Sequence, residues 1–122
     1  MNTSAEFLDQ VITPEGTIAS DRLADALHIT KTELALATGL SRDAVSKRSR
    51  AGSRATQSRL RDTTEIINRV TDWSGSVGRA FAWFRSQPLP SFGDKTAEDL
   101  VKEGRAQDVK DYLSRIAAGG YA

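Results

Sequence analysis

A chain of 122 residues with 17 basic and 16 acidic side chains, a formal net charge of +1, suits one domain or two small halves around a shared core. It has no cysteine, which excludes disulfides, thiolate nucleophiles and cysteine metal sites. No apolar run approaches the roughly 20 residues that a bilayer demands, and residues 1–10 lack a basic start followed by an apolar stretch, so the chain reads as soluble and cytoplasmic with no membrane partner.

No run of β-branched or aromatic residues alternates with polar ones between turn signals, so the predicted fold is all-α. After a short N-terminal segment, Thr13-Pro14-Glu15-Gly16 forms a turn. Ser20 is the expected N-cap of a first helix carrying Leu23, Ala24 and Leu27. Thr30 and Glu33 have capping-box spacing and start the next helix, just before Leu34. Gly39 stops it by taking the positive φ of a tight turn.

The stretch from Glu33 to Arg50 reads as a helix-turn-helix. Ala35 is small because two helices cross there. Ser41 caps the second, recognition helix, which is expected to end near Ala51-Gly52. Val45 turns inward, leaving Arg42, Asp43, Ser46 and Lys47 outward, an array that fits a DNA major groove. Ser41, Arg50 and Arg54 complete the expected DNA-binding set. Arg48 stands where such motifs often hold an apolar core residue, so its guanidinium is expected to snorkel outward.

Charge supports that reading. Residues 1–40 hold Arg22 and Lys31 against six acids, whereas residues 41–61 hold seven bases (Arg42, Lys47, Arg48, Arg50, Arg54, Arg59 and Arg61) against Asp43 alone. Such a block on the recognition helix is the footprint of a phosphate-facing surface. A solvated basic face, or one that meets an acidic protein, would look the same in composition.

A long helix follows from about Thr56, with Leu60, Ile67 and Val70 on one stripe and Ile66 alongside. Trp73 closes it and Ser74-Gly75 permits a bend. Val77, Phe81 and Phe84 repeat at i, i+4 and i+7 on the next helix. Trp73, Trp83 and Phe84 are candidate dimer contacts, with the core the favoured place for Phe84 and Trp73. The prolines make residues 87–93 irregular. Thr96 and Asp99 form a second capping box before Leu100 and Val101, and Gly104 ends that short helix. The last helix, from about Ala106, carries Val109, Tyr112, Leu113 and Ile116 on one face and is stopped by Gly119-Gly120.

Catalytic chemistry is missing from this pattern. The sole histidine, His28, ends a helix and reads as structural. There is no nucleophile elbow and no glycine-rich phosphate loop, and Glu98-Asp99 complement a helix dipole. No catalytic residue, metal or cofactor is expected, and the chain does not read as an enzyme.

Two groups of residues carry a family resemblance. The first is Leu34-Ala35, Gly39-Leu40-Ser41 and Val45-Ser46. The second is Trp83-Phe84, the proline loop, Phe92-Gly93, Thr96, Asp99-Leu100-Val101, Gly104, Val109, Leu113, Arg115-Ile116 and Gly119. In that order, and over nearly everything after Ile18, the chain resembles the Xre/MbcA/ParS family of bacterial antitoxins. The resemblance implies an Xre-like helix-turn-helix joined by a long helix to a small toxin-binding domain. The implied bounds are an N-terminal segment at 1–17, the helix-turn-helix domain at 18–72 and the toxin-binding domain at 73–122. It also implies a RES-domain toxin as partner, one that consumes NAD or transfers ADP-ribose. On this chain the toxin-binding residues would be Lys102, Tyr112 and Arg115, with Gly119, Gly120, Tyr121 and Ala122 as a plug for the toxin pocket. Operator DNA and a homodimer complete the expected partners. The competing expectations are a stand-alone helix-turn-helix regulator and an interaction scaffold with a vestigial DNA motif.

Overall fold

The computed structural model describes residues 3–47 and 51–119. These residues form eight α-helices, a 3-10 turn at Pro90–Phe92 and no strand beyond the isolated bridges Ile12↔Ile18 and Leu89↔Lys95. The all-α expectation is borne out.

Helix α1 (Thr3–Val11) adds to the sequence reading, which named an N-terminal segment here and assigned it no element. Ser4, Phe7 and Val11 are all buried and lie on one helical face. α1 packs against the long helix and against α2 (Ser20–Leu27). The turn at Thr13–Gly16 is as expected, with Gly16 at φ +85°. The N-cap of α2 is Ala19, not Ser20. Ser20 is the first helical residue, and its hydroxyl donates to the Val45 carbonyl at 2.6 Å instead. His28 closes α2 in the left-handed region, its N–H returned to the Ala24 and Asp25 carbonyls.

Helix α3 (Lys31–Thr38) has the expected capping box. Glu33 N–H donates to Thr30 Oγ1 at 3.0 Å, and Thr30 N–H donates to Glu33 Oε1 at 3.1 Å. Gly39 ends it at φ +73°. Helix α4 (Arg42–Ser46) is shorter than expected. It breaks at Lys47, whose backbone is extended, yet Ala51 is again helical, its N–H donating to the Lys47 carbonyl at 2.8 Å, and Gly52 is a turn, where the sequence placed the stop.

Helix α5 (Arg54–Ser74) is the spine. Ser53 caps it, and Leu60, Ile66, Ile67 and Val70 are buried along it as expected. Gly75 ends it, and Ser76 caps helix α6 (Val77–Ser86). Phe84 belongs to the core and stacks near Phe81, centroids 6.2 Å apart. That placement removes Phe84 from the candidate dimer contacts. Trp73 is also misplaced by the sequence reading, being 49% exposed rather than core. The loop at 87–93 contributes a core residue that was not expected. Leu89 is buried, its N–H donating to the Lys95 carbonyl at 2.9 Å.

Helix α7 (Ala97–Lys102) starts at the expected Thr96/Asp99 capping box, and helix α8 (Ala106–Gly119) buries Val109 and Leu113. α8 still includes Gly119, the last described residue. One hydrophobic cluster takes in Phe7, Leu34, Val45, Leu60, Phe84, Leu100 and Leu113, so the helix-turn-helix and the C-terminal helices share a core. Fully burying each such side chain contributes about 1.5–3 kcal/mol.

Candidate functional site

Two exposed surfaces emerge from this frame. The first is the outer face of α4. Ser41 Oγ accepts from Ala44 N–H at 3.1 Å, which satisfies one orphan donor of the helix. Val45 is buried on the inner side, so Arg42, Asp43, Ser46 and Lys47 are all exposed. Lys47 Nζ lies 3.6 Å from Asp43 Oδ2, one turn back on the same face. Arg54 is exposed in the first turn of α5, where no acid balances the positive end of the helix dipole. Arg48 and Arg50 lie outside the described residues, as do Gly120, Tyr121 and Ala122.

The basic block is not a single surface. Arg59 turns inward, donating from Nη1 to the Thr38 carbonyl at 2.7 Å. It thereby caps the C-terminal end of α3, where unpaired carbonyls favour a cation. Arg61 reaches the Gly16 carbonyl at 3.5 Å. Charge counting along the chain cannot separate such roles, because each depends on a partner 21 to 45 residues away.

The second surface runs across the 3-10 turn and α8. Phe92 and Tyr112 meet edge to face, centroids 6.2 Å apart and planes at 74°. The Arg105 guanidinium lies over Phe92 at 5.7 Å, and that of Arg115 over Tyr112 at 5.9 Å. Cation, ring, ring and cation therefore form a continuous row. Both rings are half-buried, and both arginines are exposed. Of the expected toxin-binding residues, the structure brings Tyr112 and Arg115 together. Phe92 and Arg105 join them, although the sequence reading gave neither a role; Phe92 behind two prolines was the available signal.

Lys102 is engaged elsewhere. Its Nζ lies 2.7 Å from Glu98 Oε2, while Arg85 Nε donates to Glu98 Oε1 at 3.2 Å. Its stem rests on the helix-turn-helix. A Cβ added at Gly39 would fall 3.2 Å from Lys102 Cγ and 3.1 Å from Arg59 Nη1. Gly39 is thus glycine for two reasons, its positive φ and this close approach.

Polar ties fix the C-terminal helices. Lys110 Nζ donates to Asp62 Oδ1 at 2.7 Å and lies 3.4 Å from Glu65, joining α8 to α5. Burial pushes the Lys110 amine down, but the hydrogen bond and charge of Asp62 and the charge of Glu65 outweigh it and raise the pKa. The Thr96 N–H donated to Asp99 holds that carboxyl below its ordinary value. Among the described residues no cluster of His, Cys, Asp or Glu could hold a metal ion, and no helix is long and apolar enough to cross a membrane.

Residues 69–119 match the family model of the antitoxin Xre/MbcA/ParS C-terminal toxin-binding domain. The match takes in Trp73, Phe92, Tyr112, Arg115 and Gly119, and bears out the resemblance read from Trp83 onward. No curated protein and no solved structure matches the chain.

Proposed function

We propose that this chain is an antitoxin that neutralises a RES-domain toxin by direct contact, a reading supported by the match of residues 69–119 to the Xre/MbcA/ParS toxin-binding domain. The observation that carries the reading is the row of Arg105, Phe92, Tyr112 and Arg115 on the outer surface of that domain. Aromatic and arginine side chains are the residues that most often anchor protein interfaces. α8 bears Tyr112 and Arg115 and includes Gly119, the last described residue. In this reading Gly119, Gly120, Tyr121 and Ala122 enter the toxin's NAD pocket. Two glycines give a thin backbone, and Tyr121 offers a flat ring with a hydroxyl. Lys102, exposed and paired to Glu98, joins the toxin contact beside that row. The antitoxin works in the cytoplasm, needs no cofactor and catalyses nothing.

Co-expression with the RES-domain toxin encoded beside its gene tests this. The full chain restores growth, and deleting Gly119–Ala122 weakens the rescue. Full neutralisation with unchanged affinity after the deletion contradicts the plug. No rescue by the full chain contradicts the toxin assignment.

A second role rests on Arg42, Lys47 and Arg54, which are exposed around the recognition helix. The antitoxin binds its own operator as a homodimer, since two half-sites one DNA turn apart suit a two-fold pair. Reversing charge at Arg42 and Lys47 abolishes binding to promoter DNA. A stand-alone regulator would show the same loss with no toxin in the genome neighbourhood, and a scaffold with a vestigial motif would give no gel shift even as wild type.

A further inference from the structure

We infer that Ser20 and Gln57 are positioning residues that set the pose of the recognition helix α4. The inference rests on the operator-binding role given above. α4 has only five residues, far below the length at which a helix holds itself in water. It buries a single side chain, Val45, and the backbone turns extended at Lys47 directly after it. Something outside the helix must therefore fix its orientation.

Two buried polar side chains do so. Ser20 Oγ donates to the Val45 carbonyl at 2.6 Å. That carbonyl lies at the end of α4, where the intrahelical ladder runs out. The bond explains why Ser20 does not cap its own helix. Gln57 grips the chain on the far side of the break. Its Oε1 accepts from Ile18 N–H at 2.8 Å, and its Nε2 donates to the Ile18 carbonyl at 3.0 Å and to the Ala51 carbonyl at 2.8 Å. Both donors and an acceptor of the amide are used, at a site nearly closed to solvent.

Ile18 and Ser20 are two residues apart, so both bonds refer the segment between Val45 and Ala51 to one short anchor. α4 and its C-cap carry Arg42, Ser46 and Lys47, exposed residues expected to approach phosphate and base edges. Loss of the Ser20 hydroxyl takes the donor from the buried Val45 carbonyl, and loss of the Gln57 amide unpairs the buried Ile18 backbone beside Ser20, so α4 is free to tilt. A groove contact is sensitive to displacements that barely register in global stability.

The test compares wild type with Ser20→Ala, Ser20→Thr and Gln57→Met, using a labelled duplex from upstream of the coding sequence. Anisotropy at fixed salt should show affinity about tenfold weaker for Ser20→Ala, which loses one buried hydrogen bond, and weakened at least as far for Gln57→Met, which loses three. Ser20→Thr, which keeps the hydroxyl, should recover most of it. Amide exchange should quicken from Ala44 to Lys47 and stay unchanged in α8. Toxin neutralisation should be unaffected. Unaltered duplex affinity in folded Ser20→Ala overturns the proposal, as does failure of Ser20→Thr to recover. A wild-type chain that ignores the duplex removes the operator-binding role itself, and the inference with it. Should Gln57→Met fail to fold, the two Ser20 variants still decide.

Discussion

The two exposed surfaces are built in opposite ways. The outer face of α4 sits on five residues held by buried Val45 and by single hydrogen bonds with Ser41 and Ser20, while Gln57 ties down Ala51 beyond them. The Phe92–Tyr112 face sits on helices anchored by the buried side chains of Leu89, Leu100, Val109 and Leu113, with a capping box at Thr96 and the Lys110–Asp62 ion pair. The first presents charge on a light frame, and the second presents rings and guanidinium groups on a heavy one. Base-edge contacts need a held pose, but long-range attraction to phosphate tolerates a light frame, because Coulombic forces act over about 8–10 Å at ordinary salt. Seating rings against a partner does not, since dispersion falls away within an ångström of misfit. Yet the frames are one core, joined where Gly39 rests on Arg59 and Lys102.

That shared core gives the largest effect. Phe84→Ala empties a fully buried site and should cost about 3–5 kcal/mol. Urea unfolding followed by amide exchange should then show both surfaces lost in one transition. Separate midpoints for α4 and α8 would break the comparison at its root. Gly39→Ala comes next, at about 2 kcal/mol, because alanine meets a left-handed φ and crowds Arg59 and Lys102. Thermal melting against wild type checks it.

Local chemistry was plain in the sequence. Both capping boxes, the Gly39 turn and inward-facing Val45 involve residues within a few positions of each other, so spacing alone reveals them. Contacts across the chain were hidden. α1 has few helix signals of its own and stands because Phe7 and Val11 find the core. Ser20 looked like a cap until Val45, 25 residues later, claimed its hydroxyl. Arg59 counted toward a basic surface until Thr38 drew it inward. Trp73 sits where α5 ends, and periodicity does not say whether anything covers it. On the aromatic face, Tyr112 and Arg115 were legible on α8, but Phe92 and Arg105 join them only through the fold.

Smaller effects sharpen the contrast. Lys110→Met should cost about 1–2 kcal/mol by leaving Asp62 half-buried and unpaired. Because the Lys110 pKa is raised on folding, its stabilisation is full below about pH 10 and fades as pH climbs through the folded value. Wild type should therefore lose more stability than Lys110→Met on alkaline titration. Thr96→Ala should cost about 1 kcal/mol through the lost cap of α7. Asp99 has a depressed pKa, so its contribution is complete above about pH 4 and drains as pH falls through the folded value. Denaturation curves in acid should show that loss in wild type and a weaker one in Asp99→Asn.

The most direct test is titration calorimetry of the full chain against the purified RES-domain toxin, beside Arg115→Glu and Tyr112→Ala. The account predicts a tight complex for wild type and marked weakening in both variants, with their folds intact. A wild-type chain that releases no heat and forms no complex, or variants that bind as tightly as wild type, would contradict it.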